Sequence, residues 1–275
     1  MNIALVGYGN FGKKYYKTLK QIKLFKNIII YRKNKKKNSN LLSVYSLKKN
    51  KIDLAIIVTP VKTHFKITKI FLNLKIPVIL EKPVSNKTEE VKKLNKISKK
   101  NKTSVIVNYS DLYNYNYLKI IKKINKKKVI NKLNINFKSD NKYSKKKIQP
   151  ILDWLPHFFA IYFSFFNSYD RLILKKLKTI KLKNTFSQLF EINIFIKNKN
   201  ISNFYFSNIF KKKVRKFKLI YNKKTYLYNG YKIEKNKPTP MEKIIFKLYN
   251  SKIKKKYIND LPKSIKIHKA IDKII

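Results

Sequence analysis

The stretch MNIALVGYGNFG, residues 1–12, decides the fold of this 275-residue chain. Its apolar part, Asn2–Val6, predicts a short buried strand, and a helical stretch follows over residues 13–22. The connection is a G-x-G-x-x-G formed by Gly7, Gly9 and Gly12. Such a loop lets backbone and helix N–H groups approach the pyrophosphate of a dinucleotide. Only four glycines occur in the chain, so three in this spacing favour a dinucleotide site over a strand–turn–helix without ligand.

The large positive net charge of the chain is only weak evidence about its function. The formal net charge is +54, and a basic surface attracts phosphate backbones non-specifically. However, 64 of the 67 basic residues are lysine, whereas proteins that read nucleic-acid sequence favour the arginine fork. Lysine rises together with other residues of A/T-rich codons, which indicates compositional drift. We therefore expect no specific nucleic-acid partner, and the 44% hydrophobic content argues against a disordered chain.

Several other classes of protein are excluded by composition. The absence of cysteine excludes disulfides and thiolate sites, and three histidines make a dedicated metal site unexpected. The longest apolar run, Trp154–Phe166, has 13 residues, fewer than the roughly 20 that a membrane span needs. The N-terminus shows no secretion signal. These features predict a cytoplasmic protein without a membrane partner.

The residue after the second predicted strand points to the cofactor. Ile28–Tyr31 is that strand, and Arg32 follows it, 20 residues after Gly12. An acidic residue here binds the ribose hydroxyls of NAD, whereas arginine accommodates the 2′-phosphate of NADP. The sequence thus favours NADP over NAD. A solvated basic loop is the alternative reading of Arg32.

Two further motifs follow buried strands. Leu54–Val58 leads into Thr59-Pro60, with His64 four residues later, and Ile76–Leu80 leads into Glu81-Lys82-Pro83. Strands that alternate with helical stretches predict a doubly wound parallel sheet, which binds ligands outside the carboxyl ends of its strands. Both motifs are therefore expected at the ligand-binding edge.

The three motifs together resemble the Gfo/Idh/MocA oxidoreductase family, in which a G-x-G-x-x-G, a T-P with a nearby His, and E-K-P occur in this order. Val61 stands where the family often has Asn after T-P. The resemblance implies a catalytic role for Lys82 at the nicotinamide end, and a cis peptide bond before Pro83. It implies cofactor contacts from Gly7, Gly9, Asn10, Phe11, Gly12, Arg32, Thr59, Pro60, His64, Glu81 and Lys82.

A fourth motif resembles the family's second catalytic constellation. Asp153 and His157 are four residues apart, on one helix face if the segment is helical. Asp153 can hold the imidazole in one tautomer, and His157 can exchange a proton with a substrate hydroxyl. Family members often carry another Asp beside this His, but Phe158 and Ala160 occupy those positions. A buried Asp–His pair in an aromatic core is the alternative.

The resemblance implies an N-terminal Rossmann domain that binds NAD(P), residues 1–110. A substrate-binding α/β domain with a mostly antiparallel open sheet is expected over residues 111–275. The implied activity is hydride transfer between a nicotinamide cofactor and a CH–OH or keto group of a sugar, sugar nucleotide or cyclitol. The alternatives are a catalytically impaired dinucleotide-binding protein and a basic nucleic-acid-binding protein. A homo-oligomer through the C-terminal sheet is also implied by the resemblance.

Overall fold

Two β-sheets organise the computed structural model, which describes residues 1–33, 40–124, 129–140, 143–144, 149–181, 185–209, 213–232 and 234–275. The strands are β1 Asn2–Val6, β2 Asn27–Tyr31, β3 Leu54–Ile57, β4 Val78–Leu80, β5 Val105–Val107, β6 Ile130–Lys138, β7 Tyr143–Ser144, β8 Arg171–Lys181, β9 Thr185–Ile196, β10 Lys199–Ser207, β11 Val214–Tyr221 and β12 Lys224–Asn229. The helices are α1 Asn10–Ile22, α2 Val44–Lys49, α3 Val61–Asn73, α4 Thr88–Lys100, α5 Tyr115–Lys123, α6 Pro150–Phe165, α7 Pro240–Ile253 and α8 Leu261–Asp272, with a 3₁₀ turn at Ser110–Tyr113.

The first sheet is the predicted doubly wound sheet. Its order is β2-β1-β3-β4-β5, and every neighbouring pair is parallel. All residues of β3, β4 and β5 are buried, as is typical of parallel sheets covered on both faces. Helix α1 buries Gly12, Tyr15 and Leu19, a spacing that gives one face toward the sheet. The Rossmann prediction for this part of the chain is confirmed.

The two compact units of the chain are not continuous in sequence. One contains Met1–Tyr109 and Pro238–Ile265, and the other contains Ser110–Lys237 and Lys266–Ile275. Residues 238–265, which were expected in the second domain, belong to the first unit. Val105 of β5 donates its N–H to the Ile258 carbonyl at 2.8 Å and accepts from the Asp260 N–H at 2.9 Å.

The second sheet is mostly antiparallel, as expected. Its order is β12-β11-β6-β10-β9-β7, with β8 also paired to β9, and only the β6–β10 pair is parallel. Helix α6 covers one face, where Phe158 stacks on Phe137 and Phe204 at centroid distances of 4.9 and 5.1 Å. Residues 214–227, whose β-like pattern has no break in the sequence, form most of the hairpin β11–β12, which turns at Asn222 and Lys223.

Three asparagines form a row on the other face of this sheet. Asn203 lies opposite Asn134 on β6 and Asn193 on β9. The Oδ1 atoms of all three are buried and accept no hydrogen bond from the part of the chain that the structure describes. This row is flanked by polar residues, among them Glu191 and Tyr205.

Two absences hold for the described ranges. No helix there combines the length and apolarity needed to cross a bilayer. Those ranges also contain no group of three or more His, Cys, Asp or Glu side chains that could hold a metal ion.

Candidate functional site

The glycine loop has the geometry that a bound dinucleotide requires. Gly7 has φ +99°, and a Cβ there would lie 2.9 Å from the Val58 carbonyl oxygen. A Cβ on Gly12 would lie 2.3 Å from the Gly7 carbonyl oxygen, so both positions exclude any larger residue. A Cβ on Gly9 would meet nothing within 4 Å. The loop is therefore tightly packed against the sheet at Gly7 and Gly12 and open at Gly9.

The start of helix α1 fits an anionic group at that open position. Gly9 is the N-cap and has no side chain to satisfy the first N–H groups, and the first turn contains no acidic residue. Asn10 and Phe11 are exposed beside it, with Phe11 at 53%. Unsatisfied N–H groups and the positive end of the helix dipole bind phosphates. The residues present thus fit the pyrophosphate of a dinucleotide.

Arg32 lies directly beside the glycine loop. Its guanidinium is 5.7 Å from the centre of the Tyr8 ring, the residue between Gly7 and Gly9. Its backbone N–H donates to the Asn40 carbonyl at 2.9 Å, which fixes the main chain after β2. A guanidinium stacked on an aromatic ring keeps its edge N–H groups for an anion. The position of Arg32 therefore suits the adenine-ribose end of a dinucleotide.

His64 is buried and contacts both the T-P and the E-K-P motif. Its side chain is 2% exposed, with Nε2 2.7 Å from the Thr59 carbonyl oxygen and Nδ1 2.8 Å from that of Pro83. Burial lowers the pKa of His64, and the hydrogen bonds to the two carbonyls oppose that shift. Because both ring nitrogens face the backbone, His64 holds the T-P and E-K-P turns together.

Glu81 of the E-K-P turn is held in a polar triangle. Its Oε1 accepts from the Tyr15 hydroxyl at 3.0 Å and from Asn108 Nδ2 at 2.5 Å, and Asn108 Nδ2 also donates to Tyr15 at 2.8 Å. Burial raises the pKa of the Glu81 carboxyl, while Asn108 and the Lys82 charge act in the opposite direction. The Lys82–Pro83 peptide is cis, as expected. The turn that carries Lys82 is thus anchored through its neighbour.

The second predicted constellation has a different geometry from the one expected. His157 is buried on α6, the helix that begins at Pro150, and its Nδ1 lies 3.0 Å from Oδ2 of Asp111. Asp111 belongs to the 3₁₀ turn after β5 and not to α6. Asp153 was the residue expected to hold the imidazole. In the structure, the carboxylate 3.0 Å from Nδ1 is that of Asp111, 46 residues away in the sequence.

Asp111 is an ionised group in a buried setting. Arg215 donates to it from Nε at 2.7 Å and from Nη2 at 2.6 Å, and the Tyr228 hydroxyl donates at 2.9 Å. Burial opposes the charge, but the Arg215 guanidinium, together with hydrogen bonds from His157 and Arg215, holds the pKa of Asp111 well below its usual range. The carboxylate therefore stays charged at neutral pH.

The predicted site residues are distributed over the two units. The first unit contains the glycine loop, Arg32, Thr59-Pro60, His64 and Glu81-Lys82, and the second contains Asp153 and His157. Sequence reasoning missed Asp111, Arg215 and Tyr228. Composition carried one signal: Arg215 is one of three arginines in a chain whose basic residues are nearly all lysine, and it stands where a planar fork is used.

Comparisons with known proteins agree with the fold of this chain. Residues 1–109 match the GFO_IDH_MocA family, described as an oxidoreductase family with an NAD-binding Rossmann fold. No curated protein matches the chain. A similar solved structure is UDP-N-acetylglucosamine 3-dehydrogenase GnnA from Acidithiobacillus ferrooxidans, with 13% identity and a TM-score of 0.79, covering 100% of this chain and 96% of that one.

Two more structures resemble the whole chain. Biliverdin reductase from Synechocystis sp. PCC 6803, solved with biliverdin and NADP⁺, has 14% identity and a TM-score of 0.76, covering 98% of this chain and 96% of that one. The dehydrogenase MviM from Clostridium difficile has 18% identity and a TM-score of 0.77, covering 99% and 98%. These likenesses establish the two-sheet fold. The resemblance stated from the motifs is confirmed for residues 1–109, which match the Gfo/Idh/MocA oxidoreductase family, described as having an NAD-binding Rossmann fold.

Proposed function

We propose that this chain is an NAD(P)-dependent oxidoreductase that acts on a hydroxyl or keto group of a sugar, sugar nucleotide or cyclitol. The observation that carries the proposal is the anchored E-K-P turn. Lys82 follows β4, at the carboxyl end of the sheet that bears the glycine loop, and Glu81 beside it is fixed by Tyr15 and Asn108. Ligands of doubly wound sheets bind at this end. A lysine at this position is suited to contact the reacting oxygen of a substrate.

The protein's own residues would handle the proton of the reaction. A bound nicotinamide supplies or accepts the hydride. The Lys82 ammonium can donate a hydrogen bond to the substrate oxygen and so stabilise the charge that develops on it. The His157 imidazole, with Nδ1 against the Asp111 carboxylate, can give or take a proton at Nε2. The first unit is assigned to the cofactor and the second to the substrate.

NADP is the proposed cofactor, with NAD as the alternative. Arg32 presents a guanidinium beside the glycine loop, and no Asp or Glu occurs between Gly12 and Asp53 to bind both ribose hydroxyls. Two charge-assisted bonds of about 1.5–3 kcal/mol each would favour the 2′-phosphate. Thr59 and Pro60 are also assigned to the cofactor.

Two measurements test the proposal. Fluorescence titration should show NADPH binding at least about tenfold tighter than NADH, with most of that difference lost in Arg32→Ala. Oxidation and reduction assays should then use UDP-sugars, free sugars, inositols and, because of the second structural relative, biliverdin. Lys82→Ala and His157→Ala should each lower turnover by about 10²-fold or more while cofactor affinity changes little.

A matched control distinguishes the effect of removing Lys82 from that of removing any surface lysine. Lys93 is an exposed lysine on α4 of the same unit, and Lys93→Ala should leave turnover unchanged. Full activity in both Lys82→Ala and His157→Ala would refute the acid–base assignment. Tight cofactor binding without turnover of any substrate class would instead support the catalytically impaired alternative. If the chain bound only nucleic acid, and this binding weakened steeply as the salt concentration rose, the alternative of a basic nucleic-acid-binding protein would be favoured.

A further inference from the structure

We propose that Asp111, held by Arg215, is the positioning residue of His157: it keeps the imidazole proton on Nδ1 and makes Nε2 the basic nitrogen. The catalytic meaning of this assignment rests on the proposed function. Its geometry, however, belongs entirely to the second unit, where all three residues lie. It also separates Asp111 from Asp153, the residue that sequence spacing suggested.

His157 can form a hydrogen bond with the Asp111 carboxylate only if the histidine is the donor. An ionised carboxylate offers about four acceptor positions, two on each oxygen. Arg215 Nε and the Tyr228 hydroxyl donate to Oδ1 at 2.7 and 2.9 Å. Arg215 Nη2 donates to Oδ2 at 2.6 Å, and His157 Nδ1 lies 3.0 Å from the same oxygen. An Nδ1–H therefore completes the set of four donors.

The opposite tautomer would place two lone pairs against each other. Arg215 Nη2 is 3.1 Å from His157 Nδ1, so an unprotonated Nδ1 could accept from the guanidinium. That arrangement leaves the Nδ1 lone pair facing an anionic oxygen at 3.0 Å, in a site where Asp111 is 2% exposed. Repulsion of this kind is strong away from water. The carboxylate therefore selects the Nδ1–H form.

Arg215 keeps the carboxylate charged and in place. Its guanidinium lies 5.3 Å from the centre of the Phe137 ring and 5.5 Å from that of Trp154, so it is fixed by aromatic faces as well as by the carboxylate. Gly230 packs against the same side chain, because a Cβ there would lie 2.8 Å from Arg215 Cγ. A fixed counter-charge lets a buried aspartate orient an imidazole without becoming protonated itself.

The consequence for the reaction is a defined direction of proton exchange. With Nδ1–H committed to Asp111, only Nε2 can accept a proton, and the imidazolium then formed lies 3.0 Å from a carboxylate. Asp111 thus acts through His157 and not on the substrate. Loss of Asp111 should let the imidazole populate the Nε2–H form, which cannot accept a proton at that nitrogen.

The test is the tautomer of His157, read by ¹⁵N NMR of the full chain with ¹⁵N-labelled histidine. The chain has three histidines, so its spectrum contains three ring systems, and His157→Gln identifies the one that belongs to His157. We expect the wild-type ring to show a protonated Nδ1 and an unprotonated Nε2 at neutral pH. A protonated Nε2 in the neutral wild-type ring would overturn the proposal without any variant being needed.

Two matched variants locate the residue that sets the tautomer. Asp111→Asn should move the His157 ring toward the Nε2–H form, whereas Asp153→Asn, the acid on the same helix, should leave it unchanged. The reverse result would assign the role to Asp153 and refute the inference. Because the readout requires neither cofactor nor substrate, it can fail while the oxidoreductase proposal stands, and inactivity toward every substrate would leave it intact.

Discussion

Replacing Arg215 by methionine should destabilise the second unit far more than the loss of a surface charge. Arg215→Met keeps a long apolar side chain between Phe137 and Trp154, so it removes the guanidinium with little change in packing volume. Asp111 then loses two of its four hydrogen-bond donors and the cation that compensates its charge. Its side chain is 2% exposed, so water cannot replace them.

The magnitude follows from leaving a buried carboxylate without its cation. Breaking one partner of a buried ion pair costs about 3–5 kcal/mol, compared with about 0–1 kcal/mol for an exposed pair. With a urea m-value of about 2 kcal/mol/M, the unfolding midpoint should fall by about 1.5–2.5 M. The double variant Asp111→Asn/Arg215→Met removes both charges and should recover most of that loss.

Urea unfolding followed by tryptophan fluorescence measures this directly. Trp154 is the chain's only tryptophan and lies in the second unit, beside Arg215. The control is Arg171→Met, since Arg171 is an exposed arginine on β8 that stacks on Phe195 at 4.7 Å, and its change should stay within about 0.5 kcal/mol. A cost below about 1 kcal/mol for Arg215→Met, or single costs that simply add in the double variant, would refute the reasoning.

Three further predictions concern acid, packing and assembly. Because the pKa of Asp111 is lowered in the folded state, its ionised carboxylate stabilises the fold above about pH 4, and this stabilisation is lost as the pH falls further. Denaturation midpoints measured between pH 3 and 7 should therefore fall less on acidification in Arg215→Met than in the wild type, and an equal fall in both would contradict this prediction. Gly230→Ala should displace the Arg215 side chain and lower the free energy of unfolding by about 1–3 kcal/mol, whereas an unchanged free energy would contradict the close contact. If the chain forms the expected homo-oligomer through its second sheet, light scattering should show Asn203→Lys shifting it toward monomer, and an unshifted mass would place the interface elsewhere.

Much of the first unit follows from local sequence signals. The glycine loop, the apolar strands and the spacing of α1 each report on their own neighbourhood, so their positions needed no distant information. The β11–β12 hairpin illustrates a local failure. Asn222 and Lys223 both have positive φ, 48° and 60°, a geometry for which Asn-Gly is the usual sequence signal. Because Lys223 replaces the glycine of that signal, the sequence of residues 214–227 shows no turn and predicts a single strand.

The environment of His157 could not be read from spacing at all. A helix shows its i, i+4 neighbours in the sequence, which is why Asp153 was visible, whereas Asp111 is 46 residues away and is brought to Nδ1 by the fold. The rarity of arginine was a signal that the sequence analysis used only at Arg32 and not at Arg171 or Arg215. Arg32, Arg171 and Arg215 all lie over aromatic rings, an interaction in which a planar guanidinium is superior to lysine.

The return of residues 238–265 to the first unit has a consequence for how this protein can be divided. Val105 of the last parallel strand is hydrogen-bonded to Ile258 and Asp260, which are synthesised about 150 residues later. A fragment that stops at residue 109 would therefore leave β5 as an uncovered apolar edge, a site for misassociation between chains. During synthesis, these hydrogen bonds cannot form until residue 260 has been made. The segment that matches the family, residues 1–109, thus lacks the residues that hydrogen-bond to this edge of its sheet.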